Sequence, residues 1–575
     1  MVPDVSGIDK VFDYIVPERL RAAVHVGVRV RVDLHGRRVG GWVVALGDGP
    51  SGDAGNYDPS RLVPIAAVSG AGIDPSVVDL ARWTAARWYG SWRAVLSSAT
   101  APRARLRTVH ARHGDAVDVP ADETASAALA LAADGGGLLV VPPLASALNA
   151  VAALASRGSV LAVCPTQRMA VLGAAALRRR GFTTALAPDD WEAASVGVDV
   201  VIGARSSVWA PCADLSAVVV VDEHDELLHE ERAPTWNAAD VARERANRAG
   251  VPCLVLSAIP SAASMLVHEK AMRIVTPPRA WPAVSVVDLD EVPVHGSLLS
   301  SELLESIQTP GITTVCVLNT KGKARLVSCR SCRDLQRCPE CTSLLSQDDD
   351  GVLACERCGF SAGSVCVSCG RTTFTILRGG TAQLVSQVSA SSVNPVVEVT
   401  ADTDDSWTTG NVFIGTEAVL HRMPRADTVV FADIDRDLSA PRATAPRETL
   451  ALVARAARLV GAAGRVVVQT RQPDHPLMRA IAAADTQNSV LSWCTSDLAQ
   501  RRVLELPPFS TMVRLTLAEG RDIAEAGLLP GAESAVRDRT VDLRTETVGQ
   551  MDDVVAQVRS VFGTDVRVHA APRRY

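Results

Sequence analysis

A chain of 575 residues, 47% apolar and 21% charged, has room for roughly three to five domains and is too apolar to be mainly disordered. Its formal charge of −6 excludes a uniformly basic nucleic-acid coat, while leaving room for a local basic face. Lysine occurs only at Lys10, Lys270, Lys321 and Lys323, so arginine carries nearly all of the positive charge.

Met1–Lys10 has charges and a proline where a signal peptide needs an apolar run. The longest uncharged stretch, Gly135–Ser156, is broken by Pro142–Pro143 and reads as a strand, a turn and a helix rather than a membrane span. Both features predict a cytoplasmic chain with no membrane partner. The first 45 residues alternate in strand fashion at "VFDYIVP" (Val11), "GVRVRV" (Gly27) and "RRVGGWVVAL" (Arg37), which predicts a small β-barrel-like module. A helix is expected over Asp74–Tyr89, with Val77, Leu80, Ala81, Trp83 and Ala85 on one face. The basic tract Arg103, Arg105, Arg107 and Arg112 reads as a solvated linker, and Asp115–Ala133 as a linker entering a helix.

From Gly137 the pattern changes to apolar runs separated by helix-length segments: "LLVV" (Leu138), "SVLAVC" (Ser159), "VDVVIG" (Val198), "AVVVVD" (Ala217) and "PCLVLS" (Pro252). Such runs belong to a parallel sheet covered on both faces. A second set follows at "PVVEV" (Pro395), "NVFIGT" (Asn411), "TVVFADID" (Thr428) and "GRVVVQT" (Gly464). The chain after Pro507 is expected to be a smaller α+β piece.

Between the two sets, eight of the 13 cysteines form four C-x-x-C pairs: Cys329/Cys332, Cys338/Cys341, Cys355/Cys358 and Cys366/Cys369. In a cytosolic chain this pattern reads as zinc, because a C-x-x-C turn presents two of the four thiolates that a tetrahedral ion takes. Cys341 and Cys355 are separated by 13 residues but Cys332 and Cys338 by only five, so the spacing favours a nested arrangement. Cys338, Cys341, Cys355 and Cys358 then hold one Zn2+, and Cys329, Cys332, Cys366 and Cys369 close around the other. Closed four-thiolate sites are structural, since they leave no position for water. Cys164, Cys212, Cys253, Cys316 and Cys494 sit in apolar contexts and read as core.

Two α/β lobes flanking such a module suggest a helicase core, and the strings agree. "VIGARSSVWAPCADLSAVVVVDEHDE" (Val201), "LSAIPS" (Leu256), "VCVLNTKGKARLVSCRSC" (Val315), "NVFIGTEAVL" (Asn411), "GRVVVQTRQPDHP" (Gly464) and "RVLELPPFSTMVRL" (Arg502) resemble, in order, segments of the PriA family of primosomal proteins that restart stalled replication forks. "VFDYIVP…GVRVRV…GGWVV" resembles that family's domain for gripping a DNA 3′ end. The resemblance implies an α/β multidomain fold: an N-terminal 3′-end DNA-binding domain (1–113), helicase-like lobe 1 (120–285), lobe 2 (295–327 and 373–497), the double zinc module (328–372) and a C-terminal domain (498–575). It implies phosphate contacts from Arg29, Arg31, Arg37 and Arg38, with Asp13 and Tyr14 near the 3′ terminus. Trp42 is expected nearby, although a lone strand aromatic usually packs in a core. The implied partners are forked DNA with a 3′ end, single-strand-binding protein and other primosome components, and the implied location is the nucleoid.

Several motor parts depart from the family pattern. A nucleotide loop needs glycines whose N–H groups cradle phosphates, a lysine for their charge and a hydroxyl for Mg2+. After Leu138–Val141 the chain instead reads "PPLAS", where two prolines lack N–H donors and only Ser146 offers a hydroxyl. No lysine lies between Lys10 and Lys270. His421–Arg422 stand where the family has "KG", and "ALVARAAR" (Ala451) keeps only Arg455 and Arg458 of "QVAGRAGR". Asp222 and Glu223 remain. These joint losses point to a helicase fold that no longer hydrolyses ATP, with no catalytic residue to assign; a solvated strand end is the plainer account of Asp222–Glu223. The alternatives are an ATP-driven 3′→5′ helicase with a divergent Mg2+–ATP site, which the retained residues favour, and a transcription-type zinc-ribbon protein. The α/β strings on both sides of the cysteines speak against the latter. A winged-helix domain, frequent in the family, has no room in the roughly 15 residues after His113.

Overall fold

The computed structural model describes the chain except residues 48–61, 71, 101–116, 293–296, 320–324, 348–350, 356–357, 377–380, 400–402, 404–409, 441, 484, 528, 538 and 571–575. The basic tract Arg103–Arg112, Lys321 and Lys323 therefore lie outside the described residues. Two compact units emerge among the described residues: 1–141, 146–275 and 501–570 form the first, 142–145 and 276–500 the second.

The first unit opens with an antiparallel sheet of β1 (Val2–Pro3), β2 (Arg29–Leu34), β3 (Arg37–Trp42) and β4 (Ala67–Gly70), in the order β1-β3-β2-β4. The β2–β3 turn is His35–Gly36, both at positive φ (50° and 76°), the geometry of a two-residue hairpin loop. Val30 and Val32 of β2 are fully buried, leaving Arg29, Arg31 and Asp33 on the opposite face. Val11–Pro17, expected as a strand, contributes only an isolated bridge from Ile15 to Pro64. Its alternation does not follow a buried face, since Val11 and Ile15 are 46% and 45% exposed. The module is accordingly an open sheet, with no β1–β4 pairing among the described residues, rather than a barrel.

The helix Pro75–Arg87 starts at Asp74, whose carboxylate accepts from the Ser76 N–H, with proline at the first helical position. It buries Val77, Leu80, Ala81 and Ala85 as expected; Trp83 is only half-buried and sits edge-on to Trp88.

Lobe 1, in the same unit, is a seven-stranded parallel sheet. Its strands are β5 (Gly136–Val140), β6 (Ser159–Val163), β7 (Thr184–Ala187), β8 (Val200–Gly203), β9 (Leu215–Val220), β12 (Cys253–Ser257) and β13 (Met272–Ile274), ordered β13-β5-β12-β9-β6-β8-β7, with a hairpin β10 (His229–Glu230)–β11 (Trp236–Asn237) beside them. The sequence pattern missed the edges β7 and β13: β7 is only four residues long and alternates half-buried with buried positions, and β13 is three residues long and exposed throughout.

The second unit contains β14 (Ala283–Asp288) and β15 (Thr314–Val317), followed by the cysteine module. That module is a sheet of β16 (Arg325–Cys329), β17 (Ser346–Gln347), β18 (Leu353–Ala354), β19 (Ser361–Gly363) and β20 (Phe374–Ile376). The lobe resumes with β21 (Val396–Val399), β22 (Val412–Gly415), β23 (Thr428–Phe431) and β24 (Arg465–Thr470) in a parallel sheet ordered β14-β24-β23-β15-β22-β21. Because β14 pairs with β24 from Ala283 to Asp288, this lobe begins before residue 295, and lobe 1 ends short of 285. The alternating "AVSVVD" is an edge strand with one half-buried face, which a search for continuous apolar runs passes over.

The first unit closes with an antiparallel sheet of β25 (Thr511–Leu517), β26 (Glu533–Arg537), β27 (Thr540–Thr545) and β28 (Val566–Ala570), packed by the helix Val548–Phe562. Within that unit the Tyr89 hydroxyl donates to Asp552 at 2.6 Å, and the Tyr89 carbonyl accepts from Arg559. Among the described residues no helix is long and apolar enough to cross a membrane.

Candidate metal centres and DNA-binding surface

The cysteine module gathers its eight thiols into two sets of four, each within 4.8 Å: Cys329, Cys332, Cys366 and Cys369 in the outer set, Cys338, Cys341, Cys355 and Cys358 in the inner. All four turns are built alike. The first cysteine's N–H donates to a carbonyl five residues on, as Cys329 does to Asp334 and Cys366 to Arg371, and its own carbonyl accepts from the residue after the second cysteine. That residue lies at positive φ every time: Arg333 61°, Thr342 59°, Gly359 77° and Gly370 72°. The turn thus points both sulfurs of a pair the same way. The first cysteine of each pair is buried, while three of the four second cysteines are exposed.

Cross-pair sulfur distances are 3.5 Å (Cys329–Cys369), 3.7 Å (Cys332–Cys366), 3.4 Å (Cys338–Cys358) and 3.4 Å (Cys341–Cys355). A tetrahedron with metal–sulfur bonds of about 2.3 Å has edges of roughly 3.8 Å, so both sets fit a Zn2+-sized ion. Within the inner set, hydrogen bonds from Ser343 pull the Cys341 thiol down to about 6, while, against the Phe360 N–H, burial and the neighbouring thiols push Cys358 up to about 12, so the four share their protons unequally.

In the N-terminal sheet, Arg31 and Arg37 are exposed and have no ion pair among the described residues. Arg38 is exposed beside Asp33 at 3.7 Å. Arg29 differs: its guanidinium meets Asp4 at 2.6 Å and lies 5.3 Å from the centre of the Trp42 ring. Trp42 is fully buried and donates its indole N–H to Thr100, so it is core. Tyr14 packs against a different cluster, that of Val28, Val30, Val32 and Ile65; burial and, secondarily, Asp33 push its hydroxyl up. Asp13 lies near the Met1 amino group.

Of the candidate nucleotide residues, Ser146 is exposed and stands at the N-cap of the helix Ala147–Ala155 without a side-chain capping bond. Asp222, buried at the end of β9, has φ 52°. Glu223 accepts from both the N–H and the hydroxyl of Ser261, and His224 Nδ1 lies 2.8 Å from the Ser257 hydroxyl. The structure thereby joins the "DEH" and "SAIPS" strings. In the second unit, Arg455 contacts His421, while Arg458 is half-buried on the same helix, Ala445–Val460.

Sequence reasoning missed an acidic group at the carboxyl ends of the lobe 2 strands. Asp433 and Asp435 are buried; Asp435 accepts from the Thr470 hydroxyl and the Arg471 N–H, and the Arg471 guanidinium reaches Asp433 at 3.4 Å. Asp437 accepts from Asn319 at 3.0 Å. Burial and the Asp433 charge push Asp435 up, and burial pushes Asp437 up to about 6. The acids alternating after a strand in "FADIDRDL" were the available signal.

A family model for the 3′ DNA-binding domain of PriA matches residues 2–101. Over 410 residues the chain is 27% identical to the Treponema pallidum replication restart protein PriA, covering 64% of this chain and 60% of that protein. Against the Haemophilus influenzae protein of the same name it is 27% identical over 368 residues, covering 58% and 50%. For Bacillus subtilis the figures are 24% over 399 residues, 64% and 49%. The chain thus spans about half to three fifths of the curated relatives that it matches. Among solved structures, Saccharomyces cerevisiae Dbp5 bound to RNA and ADP BeF3 superposes with a TM-score of 0.37 at 11% identity, covering 66% of this chain and 87% of that one.

Proposed function

We propose that this chain, a relative of the PriA replication restart proteins, is a DNA-binding restart protein that grips an exposed 3′ end and presents partners with a zinc-stiffened platform, without turning over ATP. The observation that carries this reading is the match of residues 2–101 to the 3′ DNA-binding domain, whose sheet offers Arg31, Arg37 and Arg38 to solvent. Each of these can neutralise a phosphate and release a counterion. The two four-thiolate sites would hold Zn2+ and make the module fold only with metal. Its exposed knuckles would serve single-strand-binding protein and other primosome components. A protein with that work belongs in the cytoplasm, with the nucleoid.

Loss of ATP turnover is inferred from the turn after β5. Phosphoryl transfer consists almost wholly of positioning and charge stabilisation, and "PPLAS" offers neither lysine nor glycines and lacks two N–H donors. Losing one comparable electrostatic donor typically costs about 10²–10³ in rate. The second reading, a working 3′→5′ motor, draws on one observation: Glu223 is held at the strand end by Ser261, as a retained Mg2+-side carboxylate would need.

The test measures fluorescence anisotropy on forked DNA with a free or a blocked 3′ end, beside phosphate release from ATP with the same DNA. Tighter binding to the free end and no DNA-stimulated release are expected, in the wild type and in Asp222→Ala/Glu223→Ala alike. Release by the wild type that vanishes in the double variant would establish the motor and overturn the ATP-silent reading.

A further inference from the structure

Gln336 is the one fully buried glutamine in the cysteine module among the described residues, and it joins the two thiol sets. Its backbone belongs to the inner ribbon: its N–H donates to the Val327 carbonyl, and its carbonyl accepts from the Leu345 N–H. Val327 and Leu345 pack with the inner ligands Cys338 and Cys355 in one small core. The side chain points the other way. Its amide Nε2 donates to the Cys366 sulfur at 3.3 Å and to the Asp334 carbonyl at 2.9 Å, while its Oε1 accepts from the Val367 N–H at 3.0 Å. Both knuckles of the outer set are therefore touched by one amide, and that amide is anchored two residues from the inner ligand Cys338. Cys332 and Cys366 are separated by 33 residues, so the outer set must close a much longer loop than the 13 residues inside the inner one.

We propose that Gln336 is a positioning residue that couples the two metal sites, holding the Cys366 knuckle in place from the inner ribbon. The inference rests on the two-zinc reading. A site of four thiolates and one divalent ion carries net negative charge, which an N–H···S bond draws off. Outer-shell donors of this kind are typically worth about 10–100-fold in metal affinity. Coupling through one residue is also reciprocal, so filling either site must tighten the other by the same factor.

The experiment uses the full chain loaded with Zn2+ and equilibrated in chelator buffers of graded free Zn2+, with zinc counted by elemental analysis and each vacated site identified by cysteine alkylation and mass mapping. Wild type holding fewer than two ions would sink the two-zinc reading itself. With two ions present, Gln336→Met, which keeps the side-chain volume but has no amide to donate, is expected to release the outer ion at roughly 10–100-fold higher free Zn2+, with alkylation first at Cys366 and Cys369. In the cobalt-loaded protein, the sulfur-to-metal charge-transfer band should shift to longer wavelength, which a packing role alone would not produce. In the wild-type background, Cys338→Ser should weaken the outer site and Cys369→Ser the inner site by equal factors, and both factors should fall toward unity when combined with Gln336→Met. Unchanged outer affinity in Gln336→Met, or coupling factors that survive it, would overturn the proposal.

Discussion

Arg29 and Arg31 share a face of β2, yet their surroundings differ. Arg29 is engaged by Asp4 and stacked near Trp42, whereas Arg31 projects into solvent. Replacing Arg31 and Arg37 with alanine should lower the slope of log K against log salt by roughly two contacts, about 0.9 each, and leave the melting temperature unchanged. Arg29→Ala should instead destabilise the N-terminal module by roughly 0.5–1 kcal/mol, because Asp4 keeps Arg93 at 3.0 Å while the ring contact is lost. A salt titration and a thermal melt of each variant check this; equal slope losses for Arg29 and Arg31 would refute the distinction. Asp437 gives a pH prediction. Burial, then Glu417 and Asp433, raise its carboxyl to about 6 against the opposing Asn319 hydrogen bond and the Arg442 charge. An unfolded aspartate titrates near about 3.9, so between roughly pH 4 and 6 the folded state holds more protons and stability falls as pH rises. Asp437→Asn should therefore raise the unfolding free energy at pH 7 by up to about 2 kcal/mol and flatten that window. Denaturant unfolding at pH 4.5 and 7 reads both effects, and a variant with the wild type's pH slope would count against them.

At the scale of elements, two glycines decide how the N-terminal sheet hands over to the helix Pro75–Arg87. Gly27 has φ +91°, and a Cβ there would lie 2.0 Å from the Ile73 carbonyl oxygen; Gly72 has φ +74°, and its Cβ would lie 1.9 Å from the Gly27 oxygen. The two segments cross in backbone contact, with the Ile73 N–H donating to the Gly27 carbonyl at 3.0 Å. Gly27→Ala combines a disfavoured φ with a clash against backbone that has nowhere to move, so it should cost about 3 kcal/mol or more. Loss of hydrogen-exchange protection in β2, β3 and the helix would show it; a melting curve identical to wild type would contradict the crossing. The metal knuckles solve a similar problem differently, since Arg333 and Thr342 adopt the left-handed conformation without being glycine. There four-thiolate ligation of a metal ion would outweigh a local cost of order 1–3 kcal/mol.

At the scale of the molecule, residues far apart in sequence share one compact unit. Tyr89, two residues past the helix Pro75–Arg87, donates to Asp552 and accepts from Arg559, and so ties the N-terminal module to the C-terminal α+β domain within the first unit. Burial, reinforced by the Asp552 hydrogen bond, pushes the Tyr89 hydroxyl well above its ordinary range, so this bond persists throughout the neutral range. Tyr89→Phe should cost about 1 kcal/mol and speed amide exchange in Val548–Phe562 without altering lobe 2. Exchange unchanged in that helix would mean that the carbonyl contact alone carries the tie.

What the sequence by itself determined rests on short-range physics. The grouping of eight cysteines follows from loop lengths, because a knuckle needs two residues between thiols and a ribbon needs a loop to turn. The two parallel lobes follow from apolar runs that only a sheet covered on both faces can bury. The tertiary structure decided the rest, where the deciding contacts lie far apart in the chain. Edge strands such as β14 have too little buried face to mark themselves, and were placed only by pairing with a partner almost two hundred residues away. Arg29 and Arg31 are indistinguishable in "GVRVRV" until Asp4 and Trp42 come alongside one of them. Gln336 looks like any surface glutamine beside a cysteine until the returning chain brings Cys366 to its amide, because a hydrogen bond between distant residues has no period and leaves no pattern to read.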